Sequence, residues 1–166
     1  MTARRKATQG NAILEFTLTS IPLIFVLISI VQMSLAMWNY HTLAETIKYT
    51  TRMASVRGSD CAGLSCQLTV GKIAQTITTK GIGLTAANLN VTLTSNSGSV
   101  SCAPVTNCSS NNTVWPPSGG NQVNQVISIS ATYSLNQGMA MLVPGKGSIL
   151  FSPVTFSTIS QQAIDF

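Results

Sequence analysis

Residues 16–44 contain no Asp, Glu, Lys or Arg, and the stretch 21–31 reads Ile-Pro-Leu-Ile-Phe-Val-Leu-Ile-Ser-Ile-Val. A membrane span needs about 20 mostly apolar residues, which residues 16–36 supply. Arg4, Arg5 and Lys6 precede the run and no basic residue follows it closely. That asymmetry places the N-terminus inside and the following domain on the exported side. Trp38 and Tyr40 fit the far membrane interface. The same stretch admits two simpler readings, a plain signal anchor and a secretory signal cut after Ser34-Leu35-Ala36. Helical patterning runs through that second site, and the apolar run is long for a signal core.

A carboxylate stands at the mouth of this run. Pulling Glu15 to a bilayer centre would cost roughly 2–3 kcal/mol, so it marks something beyond anchoring. It lies five residues beyond Gly10. A cut between Gly10 and Asn11 would create a new amine one helical turn from the Glu15 carboxylate, with Phe16 beside it. An unpaired buried charge costs several kcal/mol, so the Asn11 amine of one subunit and Glu15 of a neighbour would satisfy each other and set register. The alternative is a Glu15 that snorkels to the cytoplasmic interface and pairs with nothing.

The helical pattern outlasts the membrane. Met33, Met37, Tyr40, Ala44, Ile47, Thr51 and Ala54 recur at spacings of four and three, forming one stripe. Glu45 can pair with Lys48, and Gly58 after Arg57 is a C-terminal stop. Pro22 should loosen the apolar half. Residues 11–58 would form a rod about 70 Å long, preceded by a basic leader at residues 1–10.

Arg4-Arg5-Lys6, Gly10, Glu15-Phe16, the Pro-containing apolar helix and Thr51-Arg52-Met53-Ala54 together resemble the TadE-like pseudopilins of Tad (Flp) pilus systems. The resemblance is specific over residues 1–58 and architectural over 59–166. It implies a prepilin peptidase cut between Gly10 and Asn11, and an assembly role for Glu15 and Phe16. The implied partners are other pilins or pseudopilins and inner-membrane pilus assembly proteins. Phe16 replaces the Tyr frequent in this class, and Asn11 is an unusual first mature residue. The implied product is a single-pass inner-membrane protein with an exported domain, a minor pilus component. A major fibre subunit and a tethered adhesion module are the rival functions.

In the exported portion, 59–166, the expected fold is α+β and pilin-like: a small antiparallel sheet and a second helix packed on the long N-terminal helix. Residues 64–80 read as the second helix, weakened by Gly71 and ended by Gly81. Residues 89–94 alternate as a half-buried strand. Ile127, Ile129, Ala131, Tyr133 and Leu135 share one face of another. A third strand falls within 148–159, edged by Pro153, and 139–143 is either a short helix or a buried turn. Residues 95–122 are polar and exceed the roughly 12–15 residues of an ordinary connection. There Val114-Trp115-Pro116-Pro117 offers Trp115 as a contact for a pilus partner or host surface, unless the indole packs back on the sheet.

Cys61, Cys66, Cys102 and Cys108 all lie on the exported side, which argues for two disulfides. Three pairings are open, with the local rings Cys61–Cys66 and Cys102–Cys108 favoured. Zinc is the weaker alternative, since no tight Cys pair or accompanying His is present. The formal charge of +5 does not make a nucleic-acid surface. After Gly58 only Lys72, Lys80 and Lys146 remain against Asp60 and Asp165, with no basic face and interleaved aromatics. Between Cys61 and Ile164 the chain has no Asp, Glu or His, the groups that acid–base and nucleophilic catalysis require. A non-enzyme without cofactor or metal is expected.

Overall fold

A computed structural model describes residues 4–57, 66–135, 141–143, 147–149 and 154–165, with side chains described over 12–57, 66–135 and 154–165. The chain divides into two compact units, Met1–Trp38 and Asn39–Phe166, and the architecture is α+β. A single helix, α1 (Arg4–Ser55), spans the division. It begins within the basic leader and continues through Pro22. Gly58, the expected stop, lies outside the described residues.

In the first unit the described side chains are nearly all exposed, from Ile13 and Leu14 through Trp38. A helical segment with apolar side chains on every side and no protein around them is long and apolar enough to cross a membrane. Its hydroxyls are satisfied internally. Thr17 Oγ1 donates to the Leu14 carbonyl, Thr19 to Glu15, Ser20 to Thr17, Ser29 to Phe25 and Ser34 to Ile30, at 2.8–3.3 Å. In a lipid core, where no water can solvate them, such back-bonding removes the cost of carrying polar groups.

In the second unit the α1 residues from Asn39 onward form one wall of the core. Leu43, Ile47 and Ala54 are buried together with Asn39, Thr46, Thr50, Thr51 and Ser55. The helix continues past the apolar run as the stripe read from the sequence implies, and of that stripe Ile47, Thr51 and Ala54 are buried in the domain. Met33 and Met37 are exposed, Tyr40 is at the surface, and Ala44 is half-buried. The buried face is turned toward the threonines. Thr50 Oγ1 and Thr51 Oγ1 donate to the carbonyls of Thr46 and Ile47 at 2.8 Å, so these side chains present methyl groups to the core. A stripe counted on apolar residues alone misses them.

Helix α2 (Val70–Lys80) is shorter than the 64–80 expected; residues 64 and 65 are outside the described set. Its start is fully satisfied. The first amides of a helix lack internal partners, and here Val70 N donates to Thr113 O, Gly71 N to Asn111 O, and Ile73 N to Thr69 O. Lys72 N donates to Thr69 Oγ1, the N-cap. Gly81 ends the helix, its amide on the Ile77 carbonyl at 2.9 Å.

The sheet is antiparallel in the order β2-β1-β3-β6, built from β1 (Leu89–Ser95), β2 (Gly98–Cys102), β3 (Val126–Leu135) and β6 (Val154–Ala163). Leu93 pairs with Ile129 and Val91 with Ala131. The inward face of β1 and β3 is apolar because the alternation places Leu89, Val91, Leu93, Ile127, Ile129, Ala131 and Tyr133 together, and all seven are buried. Val70, Ile73, Ala74 and Ile77 of α2 meet it. The opposite face carries Asn90, Thr92, Thr94, Ser128, Ser130 and Thr132. A separate ribbon, β4 (Met141–Val143) with β5 (Gly147–Ile149), interrupts the sequence between β3 and β6. Residues 141–143 are thus a strand rather than a helix or turn. The third strand extends past the expected 159 to Ala163, while Pro153 lies outside the described residues.

Segment 95–122 is not one long loop. It contains the end of β1, the whole of β2 and a 3-10 turn at Val105–Cys108. It then runs antiparallel beside the start of α2, with Thr69 bridging Val114 and Trp115 N on the Leu68 carbonyl at 2.8 Å. Polar composition concealed the hairpin because β2 has small hydroxyl residues on its outer face and only Val100 and Cys102 facing inward.

Candidate functional site

Gly10 and Asn11 lie within α1 in continuous helical backbone, and Glu15 follows Asn11 by about 6 Å of helical rise. Any peptidase acting between Gly10 and Asn11 meets helix rather than a loop. The Glu15 side chain is exposed, between the exposed Ile13, Leu14, Phe16 and Leu18, the last two at 70% and 72%. Among the described residues Glu15 makes no ion pair; its backbone carbonyl accepts the Thr19 hydroxyl at 3.0 Å. A single carboxylate on an otherwise uncharged helical surface can do one thing well. It can accept a cationic donor brought by another chain, and in low dielectric that pairing is strongly register-dependent.

Another polar group within the apolar run escaped the sequence reading. Gln32 is half-buried, and its Oε1 is shielded without a hydrogen-bond partner. The residue type within the apolar run was the available signal, since an amide carrying two donors and two acceptors is rarely left among apolar side chains.

The exported-side candidate does not survive as expected. Trp115 is only 1% exposed and belongs to the core, so its indole cannot serve as a surface contact. The backbone bond to Leu68 and the bridge at Thr69 draw the segment inward, and Pro116 behind it is buried as well. The neighbouring Val114 remains exposed.

Cys102 and Cys108 form a disulfide with sequence separation 6, and both are buried. The ring closes the end of β2 onto the 3-10 turn and places Val105 against α2, in contact with the hydrophobic core rather than at a loop tip. Cys66 is also disulfide-bonded; Cys61, its expected partner, lies outside the described residues. No cluster of three or more His, Cys, Asp or Glu side chains occurs among the described residues. His41 is exposed on α1, its ring 5.9 Å from that of Tyr40.

The model of the TadE-like protein family matches residues 10–47. That interval contains Gly10, Asn11, Glu15, Phe16 and Gln32, and it crosses from the apolar unit into the start of the domain. No curated protein and no solved structure gives a significant match.

Proposed function

We propose, taking the TadE-like match over residues 10–47 as premise, that this chain is a minor pseudopilin that takes part in assembling a Tad-type pilus. The apolar part of α1 anchors it in the inner membrane, and the domain from Asn39 onward is exported. Prepilin peptidase cleaves between Gly10 and Asn11. Glu15 then accepts the Asn11 amine of a neighbouring subunit, and Phe16 and the apolar side chains around it form the packing surface between helices. The protein works as a structural subunit among other pilins, pseudopilins and inner-membrane assembly proteins, with no catalytic role.

The observation that carries this reading is the isolated Glu15 carboxylate, exposed at the head of a helical stretch without any other charge up to residue 44, inside the matched segment. An anchor alone needs no charge there, and the charge is unfavourable in lipid unless paired. The adhesion reading loses its main support with Trp115 buried.

Two measurements test the proposal. Mass spectrometry of protein taken from membranes should give a mature chain beginning at Asn11. Glu15→Gln keeps the shape of the side chain but removes its charge. It should leave the protein in the membrane at normal abundance while pilus number falls at least several-fold. Unchanged piliation with Glu15→Gln would sink the assembly role, whatever the state of the N-terminus.

A further inference from the structure

Strand β6 forms one edge of the four-stranded sheet, and that edge is bare. It pairs with β3 over ten residues without a bulge, from Val154 opposite Leu135 to Ala163 opposite Val126. None of the ten is buried. Sheet edges are ordinarily blunted by shortness, lysine, proline or a bulge. The opposite edge, β2, is five residues long and ends in the Cys102–Cys108 disulfide. Strand β6 has none of these devices, and its sequence Val-Thr-Phe-Ser-Thr-Ile-Ser-Gln-Gln-Ala carries no charge.

The register fixes which backbone groups face outward. Residues of an antiparallel strand alternate between bonding to a neighbour and facing away from it. Just past β6, Ile164 N donates to the Gln125 carbonyl and Ile164 O accepts from Asn124 N, on the β3 side. Asp165 N turns the other way, to the Ser55 carbonyl. Counting back, Phe156, Thr158, Ser160 and Gln162 bond to β3, whereas Thr155, Ser157, Ile159, Gln161 and Ala163 direct their N–H and C=O groups away from the sheet. All five are exposed, and no described residue bonds to that side. Ile159, at 63% exposure, stands in the middle of the five. Next to the strand a recess of about 380 Å³ is lined by Tyr40, Ala131 and Thr158 with neighbouring residues of β3 and β6. The Tyr40 ring stands 6.0 Å from that of Phe156.

We propose that the outer edge of β6 is a strand-addition site, taking an extended, uncharged segment of about nine residues from another exported protein. Five residues that each offer a donor and an acceptor give about ten main-chain hydrogen bonds, as many as a typical protein interface carries. Guest side chains alternate: one set lies alongside Ile159 and removes it from water, and the other turns toward the recess at Tyr40. A charged guest finds no counter-ion, because β1, β2, β3 and β6 contain no Asp, Glu, Lys or Arg. Copies of this chain do not fill the site. Their β2 edge is too short, and a second β6 completes the symmetric ladder centred on Ile159 only with the copy turned end for end. Its Asn39, where α1 enters the domain, would then stand at the opposite end of the pair, out of reach for two chains anchored in one membrane. This exclusion rests on the reading of residues 12–38 as an anchor.

The test follows amide hydrogen exchange by NMR in the full chain, labelled with nitrogen-15 and held in detergent micelles. The probe is a capped nine-residue peptide alternating threonine and valine, with the same peptide carrying a central proline as control. In the chain alone, the amides of Ser157, Ile159 and Gln161 should exchange at least about tenfold faster than those of Thr158, Ser160 and Gln162. The probe should slow the first set at least about tenfold and saturably, and the proline peptide should not. Ser157→Pro removes an outward N–H and none that reaches β3, so probe affinity should fall several-fold with the thermal transition kept. Thr158→Phe fills the recess and should weaken the probe while the outward amides stay fast. Outward amides that are already slow in dilute protein, or that the probe leaves fast at millimolar concentration, overturn the proposal. Slowing that appears without peptide as protein concentration rises assigns the edge to a second copy and also overturns it. Flotation with phospholipid vesicles reads the anchor separately, so probe protection in a chain that does not float supports the site and overturns only the anchor.

Discussion

One helix, α1, supports two opposite kinds of surface. Over residues 12–38 its apolar side chains are almost all exposed, and its hydroxyls bond to their own backbone. From Asn39 to Ser55 it is less apolar yet more deeply buried, with Thr46, Thr50 and Thr51 in the core beside Leu43 and Ile47. Hydropathy therefore tells which environment a segment needs, while the surrounding residues decide whether protein supplies it. The first segment must obtain its apolar environment from outside the chain; the second obtains it from β1, β3 and α2.

That comparison can be broken most directly by placing a charge in each region. Ile129→Asp sets an unpaired carboxylate into a fully buried site between β1 and β6. It should cost about 4 kcal/mol or more and abolish the cooperative thermal transition of the domain in detergent. Membrane association should survive, because residues 12–38 take no part in that core. Leu27→Arg should reverse the pattern. Placed mid-span it opposes insertion by about 3 kcal/mol, shifting protein from the alkali-resistant membrane fraction to the soluble one, with the transition of the domain unmoved. If Ile129→Asp released the protein from membranes, or Leu27→Arg melted the domain, the two regions would not be independent in energy.

The sequence made the first region more legible than the second. A charge-free run with basic residues on one side carries its own signal, and Glu15 and Gly10 stand out against it without knowledge of any neighbour. Strands β1 and β3 were legible for the same local reason, through period-two alternation. What remained hidden depends on contacts distant in sequence. The threonine-lined face of α1 needs the sheet to define it. The hairpin within 95–122 is masked because β2 turns hydroxyls outward, and the sequence leaves Trp115 undecided between surface and core because its burial comes with pairing to residues 68–69. The Cys102–Cys108 pairing followed from proximity, but its location in the core did not.

The ring offers a sharper reading of how the domain is held. A small disulfide ring constrains the unfolded chain by about 2 kcal/mol in the entropic model. Replacing both Cys102 and Cys108 with Ser should lower the stability of the domain by at least this amount, since two hydroxyls would enter an apolar site without assured partners. Denaturant titration of the double variant measures it. A loss well under 1 kcal/mol would show that the ring merely stiffens a surface turn, the role expected from its short span.

The smallest effect is the most specific. Gly71 sits inside α2, where alanine would ordinarily gain about 1 kcal/mol of helix propensity. Here a Cβ would stand 2.8 Å from the carbonyl oxygen of Asn111 and 2.9 Å from that of Ser109. Both are backbone atoms and cannot rotate away. The same loop also receives the Gly71 amide at 2.7 Å, so moving it aside weakens a bond that completes the start of the helix. Steric cost should exceed the propensity gain, and Gly71→Ala should destabilise the domain by about 1–2 kcal/mol net. Thr78→Ala, on the exposed side of α2, gives up only a solvent-exposed local bond to the Gln75 carbonyl against a gain in propensity and should stabilise slightly. Opposite signs for the two substitutions in one thermal-melt series would establish that segment 109–111 is clamped on α2. Two stabilising results would mean that the segment yields, and that the residues around Trp115 are held less firmly than the rest of the core.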